Sequence, residues 1–197
     1  MQIDCPRCRA VHRLDGSRAS EGARDLLAAL EKGTVGGDLP RLPLPYEDLH
    51  RPGGGKMFGC LIARDREGVE RRLFAFSGML AARWSWPGWA EPCFDASQWR
   101  ELEARYDPEI AELSRQLRER GSDAHLEGER ASKSRALMAR YHDLYRLVGA
   151  NGREHGLAEV VGRTKRMSGM GDCCGPKLLN DARRRGWAPL SMTEFFV

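Results

Sequence analysis

Residues 57–76 read MFGCLIARDREGVERRLFAF, and this stretch indicates the fold. Met57 to Ala63 is a nearly continuous apolar run, Asp65 to Gly68 supplies a turn, and Leu73 to Phe76 is a second apolar run. Two such runs joined by a short polar turn predict a β-hairpin. Because the first run does not alternate with polar residues, we expect both of its faces to be buried. It is therefore predicted to be a central strand with helices packed against it.

The segments on either side of the hairpin predict helices and one further strand. An apolar stripe predicts a first helix over residues 20–32, and Gly33 is its natural end. Another helix is predicted from Pro176 to about residue 185, and a final strand ends at residues 195–197. The predicted fold class is α/β, with a small mixed sheet (the β-hairpin plus the C-terminal strand) flanked by helices.

An inserted helical hairpin arm is predicted at about residues 97–148. Apolar residues recur at helical spacing from Ser97 to about Arg120 and again from Leu137 to Val148. A polar gap separates the two stretches, so we expect two helices that pair as an antiparallel arm. Pro108 lies inside the first stretch and is expected to kink or restart that helix.

Length and composition fit one globular domain. The chain has 197 residues, of which 41% are hydrophobic and 30% charged. It contains no apolar run of membrane-spanning length, and its N-terminus lacks the layout of a signal peptide. We therefore expect a cytoplasmic protein without a membrane partner. Residues 1–19 are predicted to be an N-terminal cysteine knuckle segment, and residues 20–197 a single α/β domain.

The cysteines need an explanation other than disulfides, which a reducing cytoplasm disfavours. There are six, of which Cys60 and Cys93 stand alone among apolar residues and are expected to fill the core. The pair Cys5-Pro-Arg-Cys8 has the spacing at which one turn directs both sulfurs to a single metal ion. An N-terminal tail with incidental cysteines is the alternative.

The adjacent pair Cys173-Cys174 lies where the last helix is predicted to begin. Free N–H groups and the helix dipole stabilise a thiolate at such a position. We therefore expect a zinc ion whose ligands are drawn from Cys5, Cys8, Cys173 and Cys174. Four ligands would make the site closed and structural, whereas three would leave a position for water. The alternative for Cys173 and Cys174 is a turn whose cysteines are merely small and buried.

Two further sets of residues suggest contacts with nucleic acid. Basic side chains near the C-terminal helix are candidates for binding a phosphate backbone: Arg163, Lys165, Arg166 and Lys177. The net charge of +4 permits an anionic partner but does not require one. Trp84, Trp86 and Trp89 belong to an aromatic segment expected to fold over the sheet. They can stack on bases, and a role in the core is the alternative.

Residues 171–179 read GDCCGPKLL and residues 189–196 read PLSMTEFF. Together with residues 55–62 and 73–80, and in the same order, they resemble the N-terminal accessory region of some RluA-type pseudouridine synthases. The resemblance covers most of residues 20–197. It implies an RNA context, with RNA, a pseudouridine synthase or another RNA-modifying protein as partner. The synthase catalytic domain is not matched, so a complete pseudouridine synthase is not expected.

The predicted element order also resembles the cytidine-deaminase fold, in which a helix opens with a zinc ligand. That resemblance implies zinc, with Cys173 matching the first ligand, and a glutamate that carries protons two positions later. Gly175 stands at that position here. Glu194 is the best substitute and is the predicted catalytic residue.

These observations leave three hypotheses open. The first is a zinc-binding, deaminase-like domain associated with RNA modification, which binds RNA or a nucleobase and acts as a nucleobase deaminase. The second is a non-catalytic RNA- or partner-binding module with a structural four-cysteine zinc site. The third is a metal-free thiol or redox protein that uses Cys174.

Overall fold

The computed structural model describes residues 2–4, 9, 11–33, 38–162 and 169–197. The helices and strands follow in this order: β1 (Gln2–Asp4), β2 (Val11–Arg13), α1 (Ala19–Lys32), a 3₁₀ turn (Tyr46–His50), β3 (Met57–Arg64), β4 (Glu70–Phe76), α2 (Ala96–Arg120), α3 (Ala124–Leu144), β5 (Arg146–Val148), β6 (Glu154–Gly156), α4 (Leu157–Val161), α5 (Cys174–Arg184) and β7 (Ala188–Phe196).

The chain folds into two compact units. The first comprises Met1–Cys93, Val148–Arg153 and Gly169–Val197, and the second comprises Phe94–Leu147 and Glu154–Ser168. The strands pair as β1 with β2, as a sheet of order β4–β3–β7, and as β5 with β6. The predicted α/β class, with the hairpin, the C-terminal strand and the helical arm, is confirmed.

The first unit is built around the sheet of β3, β4 and β7. Strand β3 pairs with both neighbours in antiparallel register, and its residues from Phe58 to Ala63 are all buried. This confirms that β3 is the central strand with both faces covered. A single parallel bridge joins Asp15 to Ser191 at the β7 edge.

Two separate groups of apolar side chains cover the two faces of this sheet. One group combines α1 with the first face: Leu26, Leu30, Phe58, Cys60 and Phe74. The other combines α5 with the opposite face: Leu61, Ala75, Met192, Cys174 and Leu178. Because successive strand residues point to opposite faces, α1 and α5 lie on opposite sides of the sheet. The core of this unit therefore has three layers, in the order helix, sheet, helix.

A specific interaction or backbone conformation accounts for each end of α1. The backbone N–H of Ala19 donates to the hydroxyl oxygen of Ser191, 3.0 Å away, which ties the first turn to β7. At the other end Gly33 adopts φ 61°, the left-handed conformation that ends a helix most easily when the residue is glycine. The predicted end of this helix is therefore confirmed.

In the second unit, α2 and α3 form the helical arm. The Trp99 and Tyr141 rings stack 3.7 Å apart between centroids, and Lys133 Nζ lies 2.7 Å from a carboxylate oxygen of Glu109. Partners that are later in α2 are thus earlier in α3, which shows that the two helices are antiparallel. The connection is shorter than the predicted polar gap, because α3 begins at Ala124.

Pro108 does not restart α2, which was one of the two outcomes expected from the sequence. The helix runs from Ala96 to Arg120 with Pro108 inside it. Proline cannot donate to the carbonyl four residues earlier, that of Ala104. Both Ala104 and Pro108 are exposed, so water can take the place of the missing donor.

Gly22 generates a test of the contact between α1 and the sheet. A Cβ atom at this position would lie 2.7 Å from Sγ of Cys60, which is buried. We expect Gly22→Ala to lower the free energy of unfolding by about 1–3 kcal/mol through overpacking. Urea unfolding in the presence of reductant measures this change.

Two matched variants make that result specific. Cys60→Ala should rescue part of the loss in the double variant, because it removes the atom that clashes. Gly128→Ala in α3, where a Cβ atom meets nothing within 4 Å, should instead stabilise by about 0.5–1 kcal/mol. Equal effects at positions 22 and 128 would contradict the packing.

Candidate functional site at the start of helix α5

Gly59 sets how closely α5 approaches the sheet. It lies within β3, and a Cβ atom at this position would lie 2.8 Å from Cβ of Cys174 and 3.0 Å from Cδ1 of Leu178. Carbon atoms in contact prefer a separation of about 3.5–4.0 Å, so α5 can start where it does only because residue 59 is glycine. A glycine inside a buried strand is a sequence signal for such an approach.

Cys174 is the first residue of α5 and is fully buried against the sheet. Its thiol donates to the carbonyl oxygen of Met57, 3.2 Å away. Burial raises the pKa of Cys174 to about 12, and the Glu194 carboxylate acts in the same direction. Burial therefore opposes the thiolate that the helix start favours. A thiol in this state is a poor metal ligand and a poor nucleophile.

Cys173 has the opposite environment. It precedes the first turn of α5 with an extended backbone, φ −67° and ψ 162°, and it is exposed and not in a disulfide. The structure thus turns one cysteine of the pair to solvent and the other to the core. Within the described ranges, Cys173 is the predicted zinc ligand that an ion can reach.

Glu194 lies next to this helix start. It pairs with Gly59 across β7 and β3, and its Oε1 accepts a hydrogen bond from the Gly175 N–H at 2.9 Å. A carboxylate at this position complements the positive end of the helix dipole. A Cβ atom at residue 175 would lie 3.8 Å from the same oxygen. Strand β7 therefore places a carboxylate next to residue 175, the helix position at which the deaminase resemblance leads one to expect a glutamate.

The described residues supply only some of the ligands that a zinc ion needs. The described part of the chain contains no group of three or more histidine, cysteine, aspartate or glutamate side chains that could hold a metal ion. Cys5 and Cys8 lie outside the described residues. Cys173 suits a zinc ligand, whereas Cys174 does not. The remaining ligands therefore stay a prediction.

Lys177 was predicted to contact nucleic acid, and its position corrects this. Its side chain is fully buried, and Nζ donates to the carbonyl oxygens of Phe76 at 3.0 Å and Gly78 at 2.8 Å. Burial lowers the pKa of Lys177 to about 8, against opposing effects of the anionic forms of Asp172 and Cys174. The ammonium group joins α5 to the end of β4 and presents no charge to a phosphate backbone.

The other residues predicted to contact nucleic acid are three basic residues and the tryptophans. Arg163, Lys165 and Arg166 lie outside the described residues. Trp89 belongs to the core on the α1 side of the sheet and donates its indole N–H to the carbonyl oxygen of Arg41. Trp86 is only half-buried.

The two isolated cysteines are where the sequence predicted them to be. Cys60 and Cys93 are fully buried, and burial raises the pKa of each thiol to about 12. Their role as core residues is confirmed.

No family model, no curated protein and no solved structure matches this chain significantly. Within the ranges that the structure describes, no helix has both the length and the apolar composition needed to cross a bilayer.

The hydrogen bond of Glu194 to Gly175 predicts a difference between two substitutions. Glu194→Ala removes both the acceptor and the charge at the start of α5, so we expect it to lower the free energy of unfolding by about 1 kcal/mol. Glu194→Gln keeps an acceptor oxygen and should cost less. Urea unfolding compares the two, with Glu91→Ala at an exposed position as the control. Equal losses for Ala and Gln would contradict the capping role.

The contribution of Lys177 to stability is predicted to rise on the alkaline side of neutrality. Its pKa is about 8 in the folded chain and 10.5 for the free side chain, so between these values the unfolded state binds more protons. The contribution of Lys177 to stability then increases with pH, by about 1 kcal/mol from pH 8 to 9. The three buried cysteines act oppositely over the same range and by a similar total amount, since their pKa values are raised from 9.0 to about 12 and the unfolded thiols ionise first.

The measurement is urea unfolding at several values between pH 7 and 9, on the wild-type chain and on Lys177→Met. The cysteines are common to both proteins, so from pH 8 to 9 the variant should lose about 1 kcal/mol of stability relative to the wild-type chain, whatever its stability at pH 7. The same slope in both proteins would show that Lys177 does not titrate in this window.

Proposed function

We propose that this chain is a zinc-binding, deaminase-like domain associated with RNA modification, which binds RNA or a nucleobase. Its candidate site lies at the start of α5, where Cys173 is a metal ligand and Glu194 carries a proton. The other ligands would be Cys5 and Cys8. Cys174 is left out of the set because it is buried and its thiol is bonded to a carbonyl oxygen.

The observation that carries this proposal is the contact between Glu194 and Gly175. The carboxylate reaches the helix residue two positions after Cys173, with 2.9 Å between Oε1 and the Gly175 nitrogen. Its other oxygen, Oε2, is the atom that would take a proton and return it. An acid–base group has to lie within hydrogen-bonding reach of the reacting group. The proposal therefore requires the substrate to bind next to the exposed Glu194 carboxylate, at the helix start that also carries the exposed Cys173.

The reaction proposed is hydrolytic deamination. Water adds to the ring carbon of a base that carries the amino group, the C–N bond breaks, and ammonia leaves. Zinc, when bound, would lower the pKa of water and so favour hydroxide at neutral pH. Glu194 would remove a proton from the attacking water and deliver it to the amino group that leaves as ammonia.

A second candidate is a non-catalytic RNA- or partner-binding module. It is favoured by the fact that capping α5 already accounts for the position of Glu194. The thiol hypothesis receives less support, because burial raises the pKa of Cys174 to about 12. The two remaining candidates differ in whether Glu194 takes part in chemistry.

The first test is the zinc content of the reduced, full-length protein. We expect about one zinc per chain, lost in Cys173→Ser and in Cys5→Ser/Cys8→Ser. Cys174→Ser is the matched control, since its hydroxyl can still donate to the Met57 carbonyl, and it should keep the metal. Absence of zinc, or loss only in Cys174→Ser, would contradict the site.

Ammonia release from RNA and from free nucleosides then separates the candidates. The deaminase proposal expects turnover that disappears in Glu194→Gln while zinc is retained. Zinc and RNA binding without turnover, both unchanged in Glu194→Gln, would favour the binding module.

A further inference from the structure

A groove lies on the α1 side of the sheet, away from the start of α5. Its volume is about 920 Å³, and it is formed by the C-terminal end of α1, the proline-rich segment 41–47 and the segment 83–87. The residues that matter for binding are Lys32, Arg41, Tyr46, Arg83 and Trp86, which all line it. Groove and α5 belong to the same compact unit.

Trp86 is held with a fixed orientation in this groove. Its indole N–H donates to the carbonyl oxygen of Leu80 at 2.8 Å, and the same oxygen accepts from the backbone N–H of Arg83 at 3.1 Å. Between them, Ala81 and Ala82 form a tight turn with φ 47° and 59°, a conformation unfavourable for residues other than glycine. Such strain is characteristic of segments that position binding groups.

The Arg83 guanidinium lies over the face of the Trp86 ring. The guanidinium carbon of Arg83 lies 4.7 Å from the centroid of the Trp86 ring. Planar guanidinium and aromatic groups are the surfaces on which nucleic-acid bases stack. Tyr46 adds a second aromatic ring to the groove, and burial together with the nearby Glu31 carboxylate raises the pKa of its hydroxyl.

The charges of the groove favour an anion. In the part of the chain that the structure describes, Lys32, Arg41 and Arg83 make no ion pair, in contrast to Arg72, which binds Asp25 and Asp38. The acidic groups that line the groove are Glu31 and Glu47. Among the described residues, three cations that make no ion pair thus line a concave site with an aromatic surface.

We propose that this groove binds a nucleotide unit, with its base stacked on Arg83 and Trp86 and its phosphate held by Lys32 and Arg41. The unit is either a free nucleoside monophosphate or one nucleotide of single-stranded RNA, since both offer a planar base and an anionic phosphate. This inference rests on the proposed function for its RNA context. It adds a binding surface on the face of the sheet opposite the α5 site.

Calorimetric titration of the full-length protein tests the groove with four probes: AMP, adenosine, inorganic phosphate and a single-stranded RNA of about eight nucleotides. We expect a nucleotide to bind at least tenfold more tightly than adenosine or phosphate alone. Arg83→Gln and Lys32→Gln/Arg41→Gln should each weaken binding about tenfold, as expected for loss of charge-assisted contacts. Arg66→Gln is the matched control, because Arg66 is exposed and does not line this groove.

Binding of AMP and RNA, or of either one, supports the proposal if Arg83→Gln weakens it and Arg66→Gln does not. AMP alone would identify a free nucleotide as the ligand, and RNA alone would identify a strand. Phosphate as tight as AMP, no binding by any probe, or equal losses in Arg83→Gln and Arg66→Gln would overturn it.

The same titration on Glu194→Gln and Cys173→Ser separates this inference from the proposed function. Both variants should bind the nucleotide like the wild-type chain. Nucleotide binding by a protein that holds no zinc would support the groove and contradict the proposed α5 site. Zinc binding without nucleotide binding would support the α5 site and contradict the groove.

Discussion

The contact between Gly59 of β3 and the first turn of α5 determines the surroundings of every polar group at the candidate site. A side chain at residue 59 would meet both Cys174 and Leu178 at distances shorter than ordinary contact. With hydrogen in that place, the helix lies directly on the sheet. The buried face of its first turn is then sealed from water, and the opposite side of the helix start opens to solvent.

This close packing of α5 on the sheet explains why neighbouring residues of the helix have such different environments. Buried positions recur with the spacing of a helix: Cys174, Lys177, Leu178, Asp181 and Ala182. Lys177 is on this face by periodicity, and it is tolerated there because the carbonyl oxygens of Phe76 and Gly78 receive its ammonium group. Asp181 is similarly accommodated by an ion pair with Arg185. Buried charges need such partners, because desolvation alone is strongly unfavourable.

Hydrophobic periodicity was sufficient to predict the sheet and its helices, since β3 is apolar throughout and α1 has one clear stripe. It failed for Lys177, because a lysine near other basic residues suggests an exposed patch. The spacing from Cys174 and Leu178 would have placed it on the core face. The different environments of Cys173 and Cys174 were not predictable from their position at a helix start. That position favours a thiolate in both, and only the close approach at Gly59 decides which sulfur is desolvated.

The structural role of Glu194 is compatible with the chemical role proposed for it. Its carboxylate stabilises the start of α5 through Gly175, and this bond fixes Oε1 in position while the residue itself remains exposed. A group that moves protons has to be held in place and yet be reachable by its substrate. Capping alone does not require exposure, since a buried carboxylate or a serine would satisfy the same N–H group. Glu194 and Cys173 are both exposed at one helix start, and the proposed site requires both to be reachable from solvent.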